Sequence, residues 1–430
     1  MAFSKKTIRD IHLDGKTVLL RADYNVPVED GKVTGDFRIK QSLPTLKYLM
    51  EHDCKIVICS HLGRPKGPGD EEFSLKPVAK RLSELLKHEI KFFSDCIGPE
   101  VQAHASELKP KQILLLENLR FYPAEEANDD NFATQLAMAS TAEVFIQDGF
   151  GVVHRKHAST DAITRHLPSV AGLLLEREVD TITEVMQKPK RPLAAIIGGA
   201  KISDKIDFIK LFIDLADFVA IGGAMANTFL LAEGIATGKS LTEPADVPLA
   251  RHIIELARAK AKKQPFVFYL PQDGIVAQKL DGPRSTRVVD WDAHVIADIE
   301  SYPKIPPRSA SKVAGDEGIY DIGPVSGSFI AGGLQLANTV VWNGTMGVAE
   351  EPALSGPVGP FAHGTDLIVQ AMSGRHGHKP FSLVGGGDTA SYIENKQQTE
   401  YFDHVSTGGG ASLYLMLGKD LPGVDALENK

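Results

Sequence analysis

KIVICSHLGR (55–64) and LAAIIGGAK (193–201) decide how this chain reads. Each carries near its start an unbroken apolar run, IVIC (56–59) in the first and LAAII (193–197) in the second, too short for an ordinary helix. Unbroken rather than alternating apolarity suits a strand buried on both faces, as in a parallel sheet with helices above and below. The exits then diverge, because the first run ends in His and Arg and the second in paired glycines followed by Lys.

The same pattern recurs in TVLLRADYN (17–25), ILLLEN (113–118), EVFIQD (143–148), FVAIGG (218–223), FVFYLP (266–271), TVVWNG (339–344), FSLVGGG (381–387) and DHVSTGG (403–409). Helix-like segments separate the runs, and Gly98-Pro99-Glu100 has the form of a helix start. An α/β chain of repeated βα units is predicted. About ten strands exceed one compact sheet, so two sheets in two domains are expected. The best boundary is 173–192, LLLEREVDTITEVMQKPKRP, an amphipathic helix with a Lys/Pro exit. Segment 281–320, carrying Pro303, Pro306 and Pro307, reads as a long irregular excursion.

Composition narrows the class. The 430 residues carry a net charge of −8, which offers no general basic field for nucleic acid. Three cysteines, Cys54, Cys59 and Cys96, make no even framework and no CxxC pair, as expected of buried thiols in a reducing cytoplasm. The N-terminus has no long apolar h-region and no small-residue cleavage site, so no signal peptide is expected. The most apolar long stretch, 218–236, is broken by Gly222-Gly223 and polar residues, so no membrane span is expected.

Ligands of open parallel sheets sit beyond the carboxyl ends of the strands. In the first half those exits carry Asp23, Asn25, His61, Arg64, Arg120 and Arg155, with Arg38 near a similar position. Guanidinium forks match carboxylate and phosphate oxygens, so arginines converging from successive exits suit a small anionic metabolite. Taken singly, any of these arginines could be a solvated charge, His61 a core histidine, and Asp23 and Asn25 turn caps. In the second half the exits are glycine turns entering helices, where backbone N–H groups meet phosphates. Lys201 and Lys205 would share a face if a helix began after Gly199; a solvated helix face is the plain alternative. Asp388, directly after three glycines, suits a hard ligand for nucleotide-bound Mg²⁺.

Two motifs fit less well. EGIATGKS (233–240) ends like a Walker A loop, but Glu233 stands where its first glycine belongs, and Lys239 reads as a surface lysine. Gly385, Gly387 and Ala390 match a dinucleotide fingerprint loosely, yet Asp403 begins its strand rather than ending it.

R-A-D-Y-N-V-P (21–27), S-H-L-G-R-P (60–65), L-L-E-N-L-R-F (115–121), G-G-A-K-I-S-D-K (198–205), V-W-N-G (341–344), G-G-G-D-T (385–389) and H-V-S-T-G-G-G-A-S-L (404–413) resemble phosphoglycerate kinases, in order along nearly the whole chain. The resemblance implies two Rossmann-like three-layer domains joined by an interdomain helix and hinge. They would be a phosphoglycerate-binding domain at 1–172, a linker at 173–192 and a nucleotide-binding domain at 193–406. The segment from about 407 to 430 would pack back on the first domain. It implies reversible phosphoryl transfer between 1,3-bisphosphoglycerate with MgADP and 3-phosphoglycerate with MgATP, by a cytoplasmic monomer whose hinge closure expels water. Asp23, Asn25, Arg38, His61, Arg64, Arg120 and Arg155 would hold the phosphoglycerate. Lys201 and Lys205 would serve the transferring group, with Arg38, and the nucleotide phosphates, Lys205 being one of the nucleotide-binding residues. Asn343, Glu350, Gly386, Gly387, Asp388 and Thr389 would hold the nucleotide and its metal. The chain departs from the family pattern at Gln147, Gly149, Ala224, Gln272, Thr345, Ala349 and Tyr414. A non-catalytic nucleotide- or metabolite-binding descendant is the alternative reading, and an NAD-dependent dehydrogenase a more distant one.

Overall fold

The computed structural model describes residues 3–280, 285–291, 295–296, 313–350, 359–375 and 377–430. The chain divides into two compact units, one of 1–184 with 407–430 and the other of 185–406.

The first unit is built on a six-stranded sheet. Across it run Ile90–Phe93, Ile113–Leu116, Lys55–Cys59, Thr17–Arg21, Val144–Gln147 and Ser169–Ala171, every neighbouring pair parallel. Alternate residues feed opposite cores. Val18, Leu20, Ile56, Ile58 and Ile146 join one cluster, whereas Leu19, Val57, Cys59, Leu114 and Phe145 join the other. That double burial is why the runs carry no polar alternation. The first strand and Val144–Gln147 are neighbours although the chain leaves them towards opposite sides of the sheet. Such a reversal opens a crevice at the strand ends. Arg21, Asp23 and Gln147 lie there.

The second unit repeats the scheme. Val295–Ile296, Val267–Tyr269, Phe218–Ile221, Leu193–Ile197, Thr339–Asn343, Phe381–Gly385 and His404–Val405 form its sheet, and all but the first are parallel. Its reversal lies between Leu193–Ile197 and Thr339–Asn343, so the exits Gly198-Gly199 and Gly344-Thr345 flank the crevice.

Two expectations need correction. Part of 281–320 is regular: Thr286–Asp290 and Gly318–Ile322 flank Asp273–Ala277 in an antiparallel three-stranded sheet. The strand was hidden because only Val289 of Thr286–Asp290 is buried, too little for an apolar run. Residues 281–284, 292–294 and 297–312 of that excursion lie outside the described residues. The helix after Gly199 starts at Ile206, with Lys205 as its cap, so helical spacing does not pair Lys201 with Lys205. Residues 203–205 form a turn that delays it.

Candidate active site

In the first unit four of the predicted residues, Asp23, Asn25, Arg38 and Arg120, are joined through hydrogen bonds. Arg38, in the first turn of the helix Phe37–Glu51, reaches Asp23 Oδ1 at 3.2 Å and donates to the Asn25 carbonyl at 2.9 Å. Asn25 donates its N–H to Asp23 Oδ1 at 3.2 Å, and its Oδ1 accepts the Gly63 N–H at 2.9 Å. Arg120 donates to the Gly63 carbonyl at 2.9 Å, and its Nε lies 3.1 Å from Glu126. Asp23, Asn25, Arg38 and Arg120 thus share one frame around the 60–64 loop. Arg64 is exposed beside it, without a hydrogen bond or ion pair among the described residues. Arg155 is also exposed, its Nε donating to His154 Nε2 at 3.1 Å.

His61 is buried, and its Nδ1 faces Arg21 Nη2 at 3.2 Å. A guanidinium only donates, so Nδ1 accepts and the ring proton resides on Nε2. Burial, then Arg21, Arg120 and Arg38, push the His61 pKa well below its usual value, so the ring is neutral at pH 7. Below it lie Arg21, Glu125, Ser159 and His157, all buried. The sequence reading passed over this group. Arg21 left one signal, a charge closing an otherwise apolar strand; Glu125 and Ser159 left none.

In the second unit the exits make a floor of backbone. A Cβ on Gly198 would lie 2.0 Å from the Thr345 carbonyl oxygen and 2.6 Å from that of Gly344. At Gly223, where φ is +66°, a Cβ would lie 2.5 Å from Gly199 N. These strand ends touch main chain to main chain, so only glycine fits. Gly198→Ala is therefore expected to cost about 3 kcal/mol, the upper end for overpacking, because the clash is with backbone that cannot rotate away. A denaturant midpoint within error of the parent's would contradict that packing.

Lys205 is half-buried over this floor and donates to Gly198 O at 2.6 Å, Asn343 O at 3.0 Å and Asn343 Oδ1 at 2.6 Å. Burial lowers its pKa to about 8, against the opposing pull of Asp388 and Asp204. Asn343 thereby acts first as the clasp of Lys205. Thr389 is buried and accepts the Gly344 N–H at 2.8 Å, tying the helix Gly387–Asn395 to the floor. Gly386 caps that helix at φ +95°. The first N–H groups of the helix have no intrahelical acceptor and carry its positive dipole end, with Asp388 exposed among them.

Beside this lies a cavity of about 330 Å³, lined by Gly199, Gly223, Leu230, Leu241, Trp291, Met346 and Val348 among others. Glu350 and Asp388 also line it. Apolar walls with glycines and a few acids among the lining suit a flat ring joined to a polar tail. The buried carboxylates there are committed to capping. Asp273 accepts the Val325 and Ser326 N–H groups at 2.9 and 2.8 Å, and Asp321 accepts from Gly364 at 2.9 Å. Lys201 is exposed and does not line the cavity. Nor does EGIATGKS form a phosphate loop: the Lys239 N–H binds Glu317 O at 2.8 Å, its side chain reaches Gln278 O, and no α-helix follows Ser240 directly.

The phosphoglycerate kinase family model matches residues 8–419. The chain belongs to the phosphoglycerate kinase family. A phosphoglycerate kinase of Moorella thermoacetica is 45% identical over 427 residues, covering 99% of this chain and 100% of the relative. One of Chloroflexus aggregans is 42% identical over 429 residues, with 99% of each chain covered. The solved phosphoglycerate kinase of Coxiella burnetii aligns with a TM-score of 0.76 at 33% identity over 98% of both chains. That of Pyrococcus horikoshii gives 0.80 at 29% identity over the same shares. The enzyme is a kinase acting on a carboxyl group, transferring a phosphoryl between 1,3-bisphosphoglycerate with ADP and 3-phosphoglycerate with ATP in glycolysis and gluconeogenesis. Its fold is two parallel-sheet α/β domains, and the non-catalytic alternative is not favoured. No described helix is long and apolar enough to cross a membrane.

Proposed function

We propose that the two units divide the substrates of this reaction. Asp23, Asn25, Arg38, His61, Arg64, Arg120 and Arg155 hold the phosphoglycerate on the unit containing residues 1–172 and about 407–430. Lys201, Lys205, Asn343, Glu350, Gly386, Gly387, Asp388 and Thr389 serve the nucleotide and the transferring phosphoryl on 193–406, with 173–192 as the linker. The observation that carries this is the contrast in donors: side-chain cations at one set of strand ends, backbone glycines with one lysine at the other.

The leaving group of an acyl phosphate is a carboxylate, so no general base is required and the burden is charge neutralisation. Arg38 and Lys205 supply fixed cations, the helix start at Gly387 supplies N–H donors, and Glu350 takes the ribose hydroxyls. Mg²⁺ enters as part of MgADP or MgATP. Among the described residues no cluster of three or more His, Cys, Asp or Glu could hold a metal, so the ion depends on phosphate oxygens, with Asp388 as the nearby carboxylate. Action as a cytoplasmic monomer belongs to the same reading.

The test is a pair of amide-resonance titrations with single substrates. 3-Phosphoglycerate alone is expected to move signals around 23–25, 61–64 and 120. MgADP alone is expected to move 198–205, 343–350 and 386–389. A 3-phosphoglycerate response centred on the second set would overturn the division.

A further inference from the structure

Arg21 and Glu125 are both fully buried, and the phosphoryl-transfer reading gives neither a task. Their geometry is a relay. The Ser159 hydroxyl donates to Glu125 Oε1 at 2.6 Å and accepts from Arg21 Nε at 2.7 Å. The Ser159 N–H donates to Glu125 Oε2 at 3.0 Å, and Ala158 N–H to the Glu125 carbonyl at 2.8 Å. Arg21 spends Nη1 on the carbonyl of Ala22 and turns Nη2 to His61 Nδ1 at 3.2 Å, with Glu125 Oε1 3.9 Å from that same nitrogen.

From this we infer that Glu125 and Ser159 are positioning residues for phosphoglycerate binding. They hold Arg21 so that it occupies His61 Nδ1 and leaves the imidazole as a neutral Nε2–H donor towards the anion. The inference rests on the assignment of His61 to the phosphoglycerate. Each link is forced by donor count. Arg21 has no acceptor to offer, so one ring nitrogen of His61 is fixed as an acceptor. Ser159 has one proton, already given to Glu125, so it can only accept from Arg21. Glu125 supplies two acceptors to two Ser159 donors while balancing a charge enclosed in protein, where a lone cation is costly. His157, its Nδ1 3.9 Å from Glu125 Oε1, is kept neutral by burial and then Arg21, leaving Arg21 as the cation facing Glu125.

Glu125→Gln is nearly isosteric yet cannot satisfy the relay. One amide orientation sets NH₂ against the Ser159 N–H. The other sets it against Ser159 Oγ, whose own proton then loses its acceptor. Losing one buried bond of this kind corresponds to about tenfold or more in binding, so the KM for 3-phosphoglycerate should rise at least about tenfold while that for MgATP stays within about twofold. Ser159→Ala removes the hydroxyl but keeps the carboxylate, and it carries the test if Glu125→Gln does not fold. The second readout is the ¹⁵N–¹H long-range spectrum of the His61 ring, assigned by loss of its signals in His61→Gln. The parent should show the Nε2–H form alone, and both relay variants a tautomer mixture. An Nδ1–H ring in the parent, or variants with unchanged phosphoglycerate KM and tautomer, overturns the relay. If His61→Gln itself leaves that KM unchanged, the site assignment fails and the relay with it. If His61→Gln raises KM and the relay variants do not, only the relay fails.

Discussion

Arg38→Ala is expected to lower kcat at least about a thousandfold and to leave MgADP affinity within about twofold, since fixed cations on a transferring phosphoryl are worth that much. The asymmetry follows from where Arg38 stands. Its guanidinium is anchored by Asp23 at 3.2 Å and the Asn25 carbonyl at 2.9 Å, both on the first strand's exit, and its side chain is about 25% exposed. Anchoring fixes the fork, and the exposed edge keeps donors available to an anion. Removing it leaves the second unit's Lys205 clasp and glycine floor untouched, so nucleotide binding has no reason to change. Stopped-flow or coupled kinetics with calorimetric ADP titration reads both quantities. A variant retaining most of its turnover rules out Arg38 as the neutralising cation.

Lys205→Met is the second large effect, expected to lower kcat/KM for MgATP by about two to three orders of magnitude through loss of a fixed positive charge. Asn343 should not rescue it, because its Oδ1 serves Lys205 and is an acceptor. The same residue predicts a pH dependence. A lysine lowered from 10.5 to about 8 binds fewer protons folded than unfolded between those values. Burying the charge therefore weighs fully against the fold below about pH 8, and stability from this group rises as pH climbs towards 10.5. Nucleotide affinity should move the other way, weakening above about pH 8 as the ammonium is lost. Chemical denaturation and MgADP titrations at pH 7 and 9.5 check both signs. Lys205→Met should flatten each trend relative to the parent.

The strands were legible because two-sided burial leaves a plain mark: Val18, Leu19 and Leu20 feed alternate cores, so none could be polar. The glycine exits were legible for a related reason, since Gly198 and Gly223 stand where any Cβ meets backbone. Thr286–Asp290 was not, because an edge strand burying only Val289 resembles a loop. The Lys205 turn was misjudged because spacing of four suggests a helix wherever the chain is polar, and only the fold shows that the helix waits until Ile206. Glu125 and Ser159 lie beyond such reasoning. A glutamate in P-A-E-E looks solvated, and its partners come from 34 and 104 residues away in the chain.

The floor under Lys205 also bears on how this enzyme can diverge. What Thr345 contributes there is its carbonyl oxygen, packed on Gly198 and Gly223. Every amino acid carries that oxygen, so the departure from the family pattern at Thr345 changes nothing the floor requires. Gly198 and Gly223 have no such latitude. Substitution in this half of the enzyme is therefore barred where a Cβ would meet backbone, at Gly198 and Gly223, and left open where the floor uses only a main-chain atom, as at Thr345.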